Sequence, residues 1–209
     1  MPGVAHRVFF GKTLGCFLLL AFCRVGLLVH APILPDVGEL ESWKQCPRCG
    51  AEVEPLDGGA SVHCEACGFR HYATSKPTAS GLVVDDRGRI LLARRAIEPD
   101  HGKWDLPGGF LDEGEDPRDA LRRELLEETS LEVEPTRFFD VVVDRYGDGD
   151  DAQHTLNLYW VCRVLDGEPT PADDVAELRW FGRGELPPSD ELAFRNNAAV
   201  LSRWRDEDA

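Results

Sequence analysis

Apolar residues recur with two different periods along this chain. From Ser80 to Val84 and from Arg89 to Arg94 they form short strand-like runs, joined by Asp85-Asp86-Arg87-Gly88, whose composition is that of a turn. This predicts a β-hairpin. Phe138 to Asp144 and Thr155 to Val164 read as two further strands linked by an acidic loop, Gly147 to Asp151, and Leu178 to Phe181 as a short last strand. The period then lengthens: Leu192, Phe194, Ala198, Ala199, Leu201 and Trp204 predict a closing helix over Glu191 to Arg205. A second helix is signalled by Asp116-Pro117, a capping side chain followed by a residue suited to the first turn, and should run to about Thr129. Loops rich in Gly and Pro surround Trp104 to Gly114. Strands flanked by two helices imply an α/β fold, a mixed sheet with helices on both faces.

The first 36 residues do not share this patterning. Arg7 and Lys12 precede an apolar run from Leu14 to Cys23; Arg24 interrupts it and a second run reaches Val29. The run is shorter than the ~20 residues a membrane helix needs. It has the make-up of a signal peptide, with Ala31 at a candidate cleavage point. The alternative is an overextended start; Met1 is the sole methionine, so a later start, for example at Val37, would use another codon. The expected organisation is a hydrophobic segment over 1–41, a Cys-rich module over 42–76 and the main domain over 77–209.

Composition narrows the function. Of 209 residues 43% are hydrophobic, enough for a buried core, and the net charge is -15. Such a field disfavours nucleic acid and anionic membranes as partners of the mature core. A polyphosphate substrate would need a divalent cation to offset it. The charge also concentrates usefully. At 100° per residue, Glu124, Glu127 and Glu128 fall within an arc of roughly 100° on the helix, with Leu121 and Leu125 at its edge. Converging carboxylates are the oxygen ligands that hard Mg2+ or Mn2+ requires. Taken alone, the three glutamates are first of all an ordinary solvated helix face.

Four of the seven cysteines form two pairs, Cys46-Pro47-Arg48-Cys49 and Cys64-Glu65-Ala66-Cys67, each followed by Gly. Two such knuckles place four thiolates around one tetrahedral Zn2+. With four protein ligands the site has no open position, so its role is structural. His63 and His71 are then surface residues. The basic residues of this module are balanced by acidic ones, unlike a nucleic-acid-binding face. Metal-type cysteines suit a reducing, cytoplasmic compartment, although residues 1–36 leave a signal peptide or anchor open.

The stretch around the acidic helix reads Gly109, five residues, Glu115, seven residues, then Arg123-Glu124-Leu125-Leu126-Glu127-Glu128-Thr129-Ser130-Leu131. This resembles the Nudix box, led by Trp104-Asp105-Leu106-Pro107-Gly108-Gly109, and the resemblance covers about residues 78 to 205. Ser130 stands where the family usually has Gly, near a helix end where a left-handed backbone suits Gly. The resemblance implies a Nudix αβα sandwich in which Glu124, Glu127, Glu128 and the Gly109 carbonyl hold Mg2+ or Mn2+. Arg123 would orient the glutamates and Glu115 support the loop. Water would attack a pyrophosphate phosphorus. The base would be Glu124 or a later loop acid: Asp174 or Asp173, with Glu177 and the 148–151 loop behind them.

A zinc ribbon ahead of such a domain is similar to the NADH pyrophosphatases and to zinc-ribbon relatives of ADP-ribose or FAD pyrophosphatases. The NADH group carries a Ser-Gln-Pro-Trp array after the box; here Phe138-Phe139-Asp140 occupies that region. ADP-ribose or FAD is therefore the expected small-molecule substrate and NADH the alternative. Trp104, Phe110 and Tyr72 are candidates to stack on adenine, and Arg94 and Arg95 to contact phosphates. An RNA-decapping or nucleotide-pool enzyme is the first rival, opposed for RNA by the charge. A silent nucleotide-binding sensor is the second, opposed by the presence of all four box glutamates. Homodimer formation stays open.

Overall fold

The computed structural model describes residues 38–147 and 152–207. The 1–36 segment and most of the expected acidic loop lie outside them.

The first module is built on three short antiparallel strands, β1 (Pro55–Leu56), β2 (Ser61–His63) and β3 (Arg70–Tyr72), in the order β1-β2-β3. Its small core gathers Leu40, Cys46, Val53, Val62 and Cys64, with Trp43 and Phe69 packed at the margin. Leu40 is fully buried there, and backbone bonds from Gly38 and Leu40 to Gly58 and Gly59 tie this leading segment down. The apolar interior is too small to hold the module by itself; the cysteines must contribute.

The main sheet follows the order β10-β5-β4-β9-β8. Its strands are β4 (Lys76–Val84), β5 (Ile90–Arg95), β8 (Glu132–Tyr146), β9 (Gln153–Asp166) and β10 (Val175–Phe181). The short β6 (Trp104–Asp105) pairs with β5, and β7 (Gly108–Phe110) with β4. β4 and β9 run parallel and the other pairs antiparallel, so the sheet is mixed as expected. Alternation along each strand serves two cores. Ala79 and Val83 of β4 face Leu121 and Leu125 of α1 (Pro117–Thr129). Leu82 faces the opposite side, with Val200, Leu201 and Trp204 of α2 (Arg195–Asp206). Leu121 and Leu125 are fully buried, worth about 1.5–3 kcal/mol each in transfer terms. The approach is close at Gly81, where a Cβ would stand 2.8 Å from Leu125 Cδ1.

α1 starts as its sequence indicates: Asp116 accepts from Arg118 N, and Pro117 opens the first turn. It ends at Ser130, which adopts φ 59°, ψ 21° and donates to the Leu126 carbonyl. The left-handed cap is thus kept without glycine.

Two elements differ from the sequence reading. The closing helix begins at Arg195, preceded by a single 3-10 turn over Ser189–Glu191. Leu192 and Ala193 are buried, Ala193 N bonds the Trp104 carbonyl, and Phe194 has φ 52°, which stops the helix from extending backward. β8 is also far longer than Phe138 to Asp144. It starts at Glu132 and passes Pro135 through an irregularity in register between Pro135 and Arg137, where a missing N–H is tolerated. Among the described residues no helix is long and apolar enough to cross a membrane.

Candidate active site and metal centres

In the first module the knuckle turns bring the four cysteines together as their spacing predicts. The ligand atoms of Cys46, Cys49, Cys64 and Cys67 all lie within 4.8 Å of one another. Cys46 Sγ is 3.7 Å from Cys67 Sγ, and Cys49 Sγ 3.6 Å from Cys64 Sγ. Tetrahedral Zn2+ with bonds of about 2.3 Å needs sulfurs roughly 3.8 Å apart, so the residues fit the ion. Of the two flanking histidines, His63 pairs with Glu65 at 3.0 Å, and His71 is stacked between Trp43 and Phe69; neither belongs to the cluster.

The second centre is organised by Arg123. Its Nε and Nη2 donate to the two Glu115 oxygens at 3.0 and 2.9 Å, and Nη1 to Glu124 at 2.7 Å and Glu127 at 3.3 Å. Nη2 also reaches the Phe110 carbonyl at 3.2 Å. One planar cation thereby holds the loop and two helix carboxylates together, and its pKa is driven up mainly by the Glu115 hydrogen bonds. Glu115 in turn accepts from Asp112 N at 2.9 Å, closing the loop before α1.

Glu128 lies on the inner side of the helix, 8% exposed, and accepts from Gly108 N at 2.8 Å. Burial pushes its carboxyl well above the ordinary carboxylate range; the Gly108 N–H opposes this, while Asp174 and Asp105 add to it. Glu124 is raised in the same direction, first by burial and against the pull of Arg123, with Glu127 and Asp174 contributing repulsion. Buried, mutually repelling carboxylates are stabilised by a cation. The backbone leaves room for it. A Cβ on Gly109 would fall 2.4 Å from Glu124 Cδ and 2.6 Å from each carboxylate oxygen. Glycine thus lets the chain pass directly against the acid. Gly108, at φ 141°, is likewise confined, its Cβ position lying 2.2 Å from the Ala79 carbonyl oxygen.

The structure brings Asp174 into electrostatic range of both Glu124 and Glu128. The loop before it is pinned to the end of α1 by Thr170 N and Ala172 N, which bond the Thr129 and Glu128 carbonyls. Glu177 is engaged with Arg94 at 3.3 Å, and the remaining base candidates at 148–151 are outside the described residues.

The expected substrate contacts divide. A cleft of about 500 Å3, its open mouth included, lies beside Gly109. Phe110 and Arg95 line it. Trp104 does not: it is 3% exposed, with the Arg94 guanidinium 4.6 Å over its ring and Phe181 against it edge to face. It is a core residue, and Arg94 is committed to it and to Glu177. Tyr72 is 60% exposed on the outer strand of the first module.

Sequence reasoning missed most of the cleft. Phe110, Tyr146 and Phe194 form an aromatic wall, Phe110 meeting Tyr146 edge to face at 5.4 Å and Tyr146 lying 5.5 Å from Phe194. Arg95 is anchored by Asp105 at 3.0 Å, and Asp105 also accepts from Asn197 Nδ2 at 2.7 Å. Burial raises the Asp105 carboxyl, opposed by Arg95 and Asn197. The available signal was polar residues inside apolar patterns: Asn157 between two leucines of a strand, and Asn196-Asn197 at the buried start of a helix.

The mixed sheet and the acidic helix after a glycine-lined loop agree with the comparisons with known proteins. The NUDIX domain model matches residues 74–204, and the model of the NADH pyrophosphatase zinc ribbon domain matches residues 46–72. The chain belongs to the Nudix family and carries a zinc ribbon of the NADH pyrophosphatase type. It is 30% identical over 140 residues to an ADP-ribose pyrophosphatase from Methanocaldococcus jannaschii, covering 66% of this chain and 79% of that protein. It is 27% identical to an NAD-capped RNA hydrolase NudC from Stutzerimonas stutzeri, covering 68% of this chain and 49% of the relative. The chain thus spans about half the length of that curated relative. A solved NUDIX hydrolase from Nitrosomonas europaea superposes with a TM-score of 0.65 at 30% identity, over 79% of this chain and 92% of that one.

Proposed function

We propose that the chain is a pyrophosphohydrolase dependent on Mg2+ or Mn2+, cleaving a nucleoside diphosphate linked to a second group. ADP-ribose or FAD is the first choice of substrate, with AMP and a phosphorylated partner as products. The observation that carries this reading is the α1 face: Glu124, Glu127 and Glu128 held on one side of the helix, with Gly109 backed against Glu124. Carboxylates and a backbone carbonyl are the donor set for a hard divalent ion, and their crowding is relieved by one.

Glu124, Glu127, Glu128 and the Gly109 carbonyl would hold the ion. When bound, it supplies Lewis-acid polarisation of phosphoryl oxygens and a lowered pKa for the attacking water. The chain's own residues do the rest. Arg123 fixes Glu124 and Glu127 at the positions from which they act. Glu124, held by Arg123 at 2.7 Å, takes the proton of the attacking water. Asp174 is the second candidate for that proton. The cleft beside Gly109 receives one end of the substrate, and Arg95 and Phe110 line it.

NADH is the second reading of the substrate, favoured by the type of the zinc ribbon. The reading takes small nucleotides as the substrates, no nucleic acid, and a cytoplasmic setting. Protein starting at Val37 would be incubated with ADP-ribose, FAD, NADH and nucleoside triphosphates, with Mg2+ or Mn2+, and the products separated by chromatography. Release of AMP from one dinucleotide, lost in Glu127→Gln, supports the reading and names the substrate. No turnover by folded, metal-loaded protein overturns it in favour of a nucleotide-binding sensor.

A further inference from the structure

The network around Asp105 lies one short step of chain from the acidic face of α1. Asp105 ends β6, which pairs with β5, and Gly108 begins β7, which pairs with β4, so two residues span the step between them. Both are fixed. Leu106 is buried, and Pro107 has a locked φ and a carbonyl that accepts from Gly81 N at 2.9 Å. Gly108 N then donates to Glu128 at 2.8 Å, and Gly109 follows, backed against Glu124. β7 meets β4 over three residue pairs, Thr78–Phe110, Ala79–Gly109 and Ser80–Gly108. For so short a strand, the segment ahead of it helps to set where Gly108 and Gly109 lie.

That segment is gripped from the start of α2, the helix on the sheet face opposite α1. Asn197 is buried in the first turn of α2, and its Nδ2 donates to Asp105 Oδ1 and to the Ala193 carbonyl, each at 2.7 Å. Ala193 N donates to the Trp104 carbonyl at 2.8 Å. One amide therefore closes a ring of bonds that joins the start of α2 to both residues of β6. On its other oxygen Asp105 accepts from Arg95 Nη1 at 3.0 Å, and Arg95 Nε is itself held by the Pro99 carbonyl at 2.8 Å. With a cation on one oxygen and an amide on the other, the carboxylate is locked in place.

We propose that Asp105 and Asn197 are positioning residues for the cation site on α1. Through Leu106-Pro107 they fix the Gly108 N–H that holds Glu128 and the Gly109 carbonyl beside Glu124. This rests on the cation site proposed above and adds to it residues that act through the backbone of the loop instead of on the ion. Removing a group that orients a metal ligand directly weakens the metal typically by about 10–100-fold. Asp105 and Asn197 act further back along the chain, so their loss should cost less.

The test reads the ion and the backbone instead of turnover. Mn2+ affinity is measured by EPR on the full, zinc-loaded chain, and Gly108 amide exchange by 15N NMR without Mn2+. Asn197→Leu keeps the shape of the side chain and removes its donor. It should weaken Mn2+ binding about threefold, and Asp105→Asn about tenfold. Leu201→Ala is the control, since it loosens α2 from the core and takes no part in the network. Its Mn2+ affinity should stay that of the parent, and Asn197→Leu should speed Gly108 exchange more than it does. Parent-like Mn2+ affinity and Gly108 exchange in folded Asn197→Leu overturn the proposal, as does equal weakening in Leu201→Ala. Absence of Mn2+ binding by the parent overturns it together with the cation site. Mn2+ binding that responds to these substitutions, in a protein that hydrolyses none of the nucleotides, would sink the pyrophosphohydrolase reading and leave the positioning role standing.

Discussion

Glu115, Arg123, Glu124, Glu127 and Glu128 come from one loop and the helix that follows it, whereas Arg95, Asp105, Tyr159 and Asn196 come from three strands and a second helix. The two halves of the site also differ in what their residues do for the fold. On the acidic side, like charges are crowded onto a helix that packs through Leu121 and Leu125 on its other flank. The carboxylates raise the energy of the folded chain until something compensates them. In the cleft, the Arg95–Asp105–Asn197 network links β5, β6 and α2, so its polar groups hold the fold together. Residues selected for chemistry can conflict with stability, while residues that assemble a pocket from distant segments must also hold those segments together.

The comparison can be broken most directly by exchanging the two kinds of loss. Glu127→Gln should lower kcat by roughly 10³-fold, since one ligand of an ion that supplies several kcal/mol of transition-state stabilisation is removed. Its urea midpoint should stay unchanged or rise. A kcat within threefold of the parent would show that the acidic face is not the catalytic one. Asp105→Asn should do the opposite, lowering folding stability by about 3–5 kcal/mol in urea denaturation, because it leaves the Arg95 guanidinium buried without its counter-charge. A loss below 1 kcal/mol would mean that the cleft network does not hold the fold.

Metal binding sharpens the contrast through pH. The folded-state pKa values of Glu124 and Glu128 are raised above the ordinary 4.5. In metal-free protein their contribution to stability is therefore fully present below about 4.5 and is lost as pH rises through the raised values. Mg2+ compensates the ionised pair, so the gain in Tm on adding Mg2+ should be larger at pH 8 than at pH 5.5 in differential scanning calorimetry. An equal gain at both pH values would remove the acidic pair as its source.

The smallest expected effect concerns the end of the same helix. Ser130 holds a left-handed conformation that costs a non-glycine residue about 1–2 kcal/mol. Ser130→Gly should raise stability by about 1 kcal/mol, a Tm gain of roughly 2–4 °C for a domain of this size, with kcat unchanged. A drop in Tm would mean that the serine side chain stabilises the cap.

Much of this molecule was legible along the chain because the relevant neighbours are local. The knuckle cysteines meet through tight turns, and the helix period alone puts Glu124, Glu127 and Glu128 on one arc of α1. Asp116-Pro117 start α1 where the structure does, and the alternation of the strands indicated a mixed sheet covered on both faces. The cleft was not legible in the same way. Trp104 reads as a candidate stacking ring and is a core residue, because β6 lies against β5 and Leu192 packs back on it. Tyr159 reads as one more apolar strand residue, and only the pairing of β9 between β4 and β8 brings its hydroxyl to the cleft. Phe194 interrupts a helix that its period extends, because its N–H is taken by Asp100 at 3.1 Å. The sequence by itself determined the cysteine cluster and the acidic helix face, since turn and helix geometry set neighbours over short separations. Only the tertiary structure decided the cleft beside Gly109, because its lining residues become neighbours when distant strands and the last helix close around it.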